Sequence, residues 1–406
     1  MAGPLSGYRI LEIAGIGPGP FAAMLLADMG ADVLKIEPPT GDVARLWGPF
    51  PKGAPSSAEY GGYFASINRN KRSVTLDLKI AADVERLWEL LEGADVLVEN
   101  FRSGVMERFG LSYETLHERF PRLVYACIRG FGDPRTGASP YDDWPAFDII
   151  AQAMGGILGV TGVDAAHPVK VGPGVGDIFP AALAATGILA AVRHAEHTGQ
   201  GQLVDVGMYD AVLSLTERIV YQYSLTGTDP VPQGNTHPLL CPYGVVATAD
   251  GFVALAAPSD HHWRLLATIM GRADLAEHPD FMTNSNRLAN SDKTYAAVEG
   301  WSSRLSTALV IQALAGQIPC GPVNRASDIV VDPHVRARDM VLQVDHPDGG
   351  QLHIAGAPIK FSETKAGHVR RAPRRGEHSA EGWLSDRKST RLNSSHVSES
   401  RMPSSA

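Results

Sequence analysis

The chain has 406 residues, 44% hydrophobic and 20% charged, long enough for two or three domains whose core needs no covalent staples. Its net charge of −8 argues against a nucleic-acid grip spread over the surface and obliges any anionic ligand to find a local cationic pocket. Cys127, Cys241 and Cys320 are scattered, without a CxxC pair, which excludes a zinc ribbon or a disulfide framework and points to a reducing cytoplasm.

Residues 8–13 read as a strand that ends in a Gly/Pro turn containing Gly15, Gly17, Pro18, Gly19 and Pro20. An Ala/Leu-rich helix over 21–29 follows, closed by Gly30, and then a strand over 32–37 stopped by Pro38 and Pro39. A second unit comprises a strand over 73–78, a helix over 82–91 and a strand over 95–98, with another strand over 123–128. This alternation predicts an α/β fold, a large Rossmann-like domain with a mostly parallel sheet and helices on both faces. Residues 13–27 lack the flanking charge of a secretory leader. The apolar run 178–192, interrupted by Pro180, Thr186 and Gly187, is too short to cross a bilayer, so no membrane partner is expected.

Beyond residue 206 the pattern changes. Two apolar runs joined through Ala249, Asp250 and Gly251 predict a hairpin, followed by helices over 263–270, 295–305 and 308–317. The organisation expected is a large domain over 1–225, a smaller α+β domain over 231–323 and a return to the large domain over 330–387. Residues 388–406 hold seven serines and no hydrophobic period, and read as a disordered, non-native tail outside the fold.

Several features carry chemistry. Glycines after the first strand with Glu37 ending the second suggest a dinucleotide fingerprint, but Pro18 and Pro20 lack the amide hydrogens a pyrophosphate would use. A basic stretch, Asn68 to Ser73, precedes a strand, and Lys79, Arg102 and Arg108 lie at or just beyond strand ends, where cations would suit a phosphate-bearing ligand. Asp177 sits in a glycine-rich loop before an apolar helix. Spacing alone leaves two readings of it, a helix N-cap or a nucleophile that a bulky substrate can approach. His194 and His197 lack a third ligand, and no metal site is expected.

The stretches LLADMGADVLKIEPPTGD, NRNKRSVTLDLK, ADVLVENFRSGVMERFGL, AFDIIAQAMGG, GDIFPA, TGQGQLVDVGMYDAV, IPCGPV and RAPRRGEH, in this order, resemble the family III CoA-transferases from residue 4 almost to His378. The resemblance implies two interlocked chains, acyl-CoA and a small carboxylic acid as substrates, and no tightly bound cofactor. It implies Asp177 as a nucleophile that forms an aspartyl-CoA thioester, with backbone amides around residues 176–179 stabilising the oxyanion. It also implies CoA contacts at Gly17, Pro18, Leu76, Lys79, Asn100, Phe101, Arg102 and Arg108. Two cations usual in the family are replaced by Pro38 and Pro145, which shifts the phosphate contacts onto Arg72 or Arg102. The α-methylacyl-CoA racemase branch of the superfamily has a histidine where this chain has Phe147, and phenylalanine cannot shuttle a proton. A non-catalytic CoA-binding protein is the remaining alternative.

Overall fold

In the computed structural model, residues 3–55, 58–367 and 370–383 are described; the predicted tail over 388–406 lies outside them. The chain divides into two units, one of Met1–Ile157, Val171–Glu217 and His334–Ala406, the other of Leu158–Lys170 and Arg218–Pro333. Leu158–Lys170 has no apolar periodicity that would have assigned it to the second unit from sequence, and that unit begins before the expected residue 231.

The first unit is built on β1 (Arg9–Ile13), β2 (Asp32–Glu37), β3 (Arg72–Thr75), β4 (Val96–Glu99), β5 (Val124–Arg129) and β6 (Leu203–Gly207). All neighbours are parallel in the order β3-β2-β1-β4-β5-β6, the doubly wound arrangement. The strands are short, and β1 to β5 are buried almost throughout because both faces are covered, their charged residues included. The helices are α1 (Pro18–Asp28), α2 (Gly62–Ile67), α3 (Ala81–Glu92), α4 (Val105–Arg108), α5 (Tyr113–Arg119), α6 (Asp148–Met154), α7 (Val175–Thr198) and α8 (Met208–Leu215). Leu87, Leu91, Met106 and Leu116 of α3 to α5 pack on one face, with Leu11 and Leu97. Leu26 of α1 and Ile188 and Val192 of α7 pack on the other, with Ile10 and Val98. Helix α1 starts at Pro18, inside the turn read as a breaker, because a proline in the first turn gives up only an amide that would be unpaired anyway. Helix α7 runs 24 residues, beyond the expected 15-residue stretch, and is long and apolar enough to cross a membrane; here Ala185, Ala191 and Ala195 join its buried face.

The second unit contains α9 (Ile219–Thr226), the predicted hairpin of β7 (Tyr243–Ala247) and β8 (Phe252–Ala256), then α10 (Asp260–Ile269), α11 (Asn284–Ala289), α12 (Ser291–Ser302), α13 (Thr307–Leu314) and β9 (Cys320–Pro322). Its core gathers Trp263, Leu266, Val298, Val310 and Leu314. The chain then returns to the first unit as the antiparallel pair β10 (Val341–Asp345) and β11 (Gln351–Ala355).

Beneath the turn between β1 and α1 lies a buried ionic network. Lys35 Nζ lies 2.8 Å from Glu12 Oε1 and 2.9 Å from Asp42 Oδ2, and donates to the Ala14 carbonyl at 2.7 Å. Lys71 Nζ lies 2.8 Å from Glu12 Oε2 and donates to the carbonyl of Pro20 and to Asn68 Oδ1, both at 2.7 Å. Burial opposes the charge on Lys35, yet Glu12, Asp42 and Glu37 together raise its pKa above the usual lysine value. Burial pulls Lys71 down to about 8 against the attraction of Glu12. Removing one partner of such a set leaves a buried charge without its counter-ion. Lys35→Met is therefore expected to lower unfolding free energy by about 3–5 kcal/mol, measured by urea denaturation.

Candidate active site

In a doubly wound sheet, ligands bind outside the carboxyl ends of the strands where the order reverses, here between β1 and β4. The two loops leaving these strands are tied together: Gly15 N donates to Asn100 Oδ1 at 3.0 Å and Asn100 Nδ2 donates to the Gly15 carbonyl at 2.7 Å. Ile16 adopts φ +64°, an outlier for a β-branched residue and a strain of roughly 1–3 kcal/mol. Asp42 holds it there by accepting from Ile16 N at 3.2 Å.

Gly15, Ile16 and Phe101 border two cavities. One, about 260 Å³, also takes in Pro18, Asn100, Arg102, Phe147 and Asp177. The other, about 430 Å³ and largely apolar, takes in Pro38, Leu76, Lys79 and Phe109.

Asp177 is not the N-cap of its helix. Helix α7 begins at Val175, its N-cap is Gly174, and Asp177 lies within the first turn. The capping role falls to Asp148 of α6, whose Oδ1 accepts from Gly176 N at 2.8 Å. The amides expected to await an oxyanion are also occupied, since Asp177 N and Ile178 N both donate to the Gly174 carbonyl, at 3.1 and 2.9 Å. The Asp177 carboxylate itself accepts no hydrogen bond among the described residues. Burial, and next the charge of Asp148, push its pKa up to about 7. It rests against Gly17, where any Cβ would fall inside the contact distance of its Oδ2. Glycine at 17 is thus a condition of the site. The Gly17 amide has no acceptor among the described residues. Tyr63 of α2 stands within electrostatic reach: burial and then the charges of Asp177, Asp42 and Asp148 push its phenol up to about 12.

Other expected residues separate by which end of the sheet they occupy. Lys79 and Arg102 are exposed at the two cavities and form no ion pair among the described residues. Arg108 is also exposed and unpaired, on α4 beside Gly104, but borders neither cavity. Arg72 is not brought to the site. It opens β3 at the opposite end of the sheet, fully buried, paired with Asp32 at 2.7 Å and Glu381 at 3.2 Å. The rest of that basic stretch is structural too: Arg69 pairs with Asp28 and Lys71 with Glu12. Glu37 does not await a ribose, because Arg45 binds both its oxygens, at 2.7 and 2.6 Å, and Ser73 and Asp42 N donate as well. Sequence reasoning missed Asp42, Tyr63 and Asp148. For Asp148 a signal existed in the four-residue spacing to Gln152, which places both on one helix face. Among the described residues no group of three or more His, Cys, Asp or Glu side chains is placed to hold a metal ion.

A family model described as CoA-transferase family III matches residues 5–379. The chain belongs to CoA-transferase family III. A succinyl-CoA:mesaconate CoA-transferase of Haloarcula hispanica is 48% identical over 380 residues, covering 93% of this chain and 95% of that protein. A succinate–glutarate CoA-transferase of Agrobacterium fabrum is 37% identical, covering 93% and 94%. Among solved structures, a CaiB/BaiF family protein from Brucella suis superposes with a TM-score of 0.83 at 33% identity, covering 94% of this chain and 98% of that one. This family III member is accordingly an enzyme, a CoA-transferase acting between an acyl-CoA and a carboxylic acid.

A carboxyl group whose pKa is raised on folding binds more protons in the native state than in the unfolded chain between about pH 4 and 7. Native stability therefore falls as pH rises through that window. Asp177→Asn is expected to match the parent below about pH 4 and to be more stable by about 1–4 kcal/mol above pH 7, read from denaturant curves across the pH range.

Proposed function

We propose that this CoA-transferase moves CoA through an aspartyl-CoA thioester on Asp177. The observation carrying the reading is a half-buried carboxylate that accepts no hydrogen bond among the described residues, beside a glycine that permits close approach and whose own amide has no acceptor among them. The Asp177 carboxylate attacks the thioester carbonyl of the donor; a C–O bond forms, the C–S bond breaks, and CoA leaves as thiolate from a mixed anhydride. The thiolate then attacks the aspartyl carbonyl and expels the donor acid as carboxylate, leaving Asp177 as a CoA thioester. An acceptor carboxylate runs the two steps in reverse, so protons and electrons balance without an outside base. Keeping the thiolate beside the anhydride makes recapture effectively intramolecular and protects the intermediate from water.

The oxyanion donor in this scheme is the amide of Gly17 rather than those of residues 176–179, because Gly176 N is held by Asp148, Asp177 N and Ile178 N by the Gly174 carbonyl, and Phe179 lies inside helix α7. Lys79, Arg102 and Arg108 supply the phosphate-binding charge. Pro18, Leu76, Asn100 and Phe101 line the path of the CoA chain. A succinyl donor and a dicarboxylate acceptor are the substrates, a choice supported by the relatives that act on mesaconate and glutarate. We further propose a homodimer of interlocked chains. Helix α9 supports this, since its Val220, Tyr223 and Leu225 are 60%, 55% and 82% exposed. Its free cysteines suit a cytoplasmic location.

Hydroxylamine added during turnover should label Asp177, and Asp177→Ala should abolish transfer while leaving CoA binding intact; a variant that still transfers CoA would sink the assignment. A mass-spectrometric screen of donor thioesters against a panel of acids should show new thioesters for succinyl-CoA with four- and five-carbon dicarboxylates. Light scattering should report twice the chain mass.

A further inference from the structure

We propose that Asp148 is a positioning residue for the reaction at Asp177, clamping the first turn of α7 from the neighbouring helix and setting a second negative charge against the Asp177 carboxylate. The inference rests on the reading of Asp177 as nucleophile. Its support is geometric. Asp148 opens α6, and its Oδ1 accepts from Gly176 N, one residue before Asp177, at 2.8 Å. Gln152, one turn along the same helix, donates from Nε2 to both Asp148 oxygens at 3.0 and 2.9 Å. Its Oε1 accepts from Val171 N at 3.0 Å. The Asp148–Gln152 pair therefore grips the glycine-rich loop at both ends. Gly176 is what lets the helices meet so closely, since a Cβ there would run into the Asp148 carbonyl and the Ala151 side chain.

The two carboxylates are treated in opposite ways. Asp148 is surrounded by donors, whereas Asp177 has none among the described residues. Around Asp177, the β1–α1 turn presents Gly17 and, in residues 14–17, no charged side chain, and α2 presents the neutral phenol of Tyr63. The other charged groups on the cavity wall are Arg102, Asp142 and Arg129, and Arg129 is tied to Glu99 and Asp133 at 2.7 and 2.6 Å. Burial and Asp148 accordingly raise the proton affinity of Asp177. Acylation converts that carboxylate into a neutral anhydride or thioester, which abolishes both the repulsion and the desolvation cost. Asp148 thus favours the covalent state over the free one, and it does so without touching the substrate.

The test reads the Asp177 proton affinity without turnover. The pH window over which the parent and Asp177→Asn diverge in denaturant stability is measured with and without Asp148→Asn, which removes the charge and keeps an oxygen for Gly176 N and Gln152 Nε2 while its amide nitrogen replaces the second oxygen that accepts from Gln152. The window is expected to move to lower pH, a roughly threefold to tenfold loss of proton affinity at Asp177. The acid limb of kcat/KM should move with it, and Asp148→Glu should restore both. A folded Asp148→Asn enzyme whose window stays in place, with the acid limb unmoved, overturns the role of Asp148 and leaves the nucleophile standing. A window that moves while the acid limb does not follow overturns the nucleophile itself, and the proposal with it.

Discussion

The buried contact between Lys35 and the carboxylates of Glu12 and Asp42 is the interaction from which the rest of the site hangs. Each strand end of the parallel sheet projects a loop toward the crevice, and loops alone do not hold a geometry. Here the ammonium group neutralises two carboxylates while donating to the Ala14 carbonyl at the point where β1 ends. Asp42, fixed in this way, can accept from Ile16 N and keep a β-branched residue at positive φ. Ile16 directly precedes Gly17, the residue against which Asp177 rests. The chain of causes runs from a low-dielectric ion network to a strained turn and on to one backbone amide. Any break is costly because the charges cannot be rehydrated in place.

Buried ion pairs of this kind also show how a protein of net charge −8 keeps its unpaired cations at the crevice. Lysine and arginine occur throughout residues 1–102, but the fold sorts them by position along the parallel strands. Those at strand starts or inside the layers, Lys35, Arg69, Lys71 and Arg72, are buried and neutralised by named carboxylates. Those just beyond strand ends, Lys79 and Arg102, remain exposed and unpaired among the described residues. A buried and paired cation contributes almost nothing to the field a ligand sees, while a free one at the mouth of a low-dielectric cleft contributes fully.

Much of this was legible in the sequence. The strands β1 to β5 announce themselves as short segments rich in Val, Ile and Leu between turn signals and helical stretches, and Asp177 stands out between a glycine loop and an apolar helix. What was not legible has physical reasons. Strand β6 alternates Leu203, Val204, Asp205 and Val206 with little to separate it from a loop, and it forms only because β5 offers an edge. The start of α7 was misplaced because its N-cap is a glycine with no side chain to signal it, the capping oxygen coming from α6. Arg72 was misread because its counter-ions, Asp32 and Glu381, lie far from it in sequence and only the fold brings them against it.

The treatment of Asp177 departs from the ordinary rule for buried charge. A carboxylate kept from water is normally surrounded by donors, as Asp148 and Glu37 are in this chain. Among the described residues Asp177 is given no donor, a standing cost to the charged form in the free protein that is relieved in any state that removes the charge. The state that relieves it is one in which the oxygen no longer bears charge. Protonation satisfies that condition below neutral pH, and acylation satisfies it at any pH. An N-cap aspartate, by contrast, gains from its charge and would lose by acylation. The same residue type at the same helix end suits either role, and the proposed role of Asp177 rests on its having no donors among the described residues where Asp148 has several.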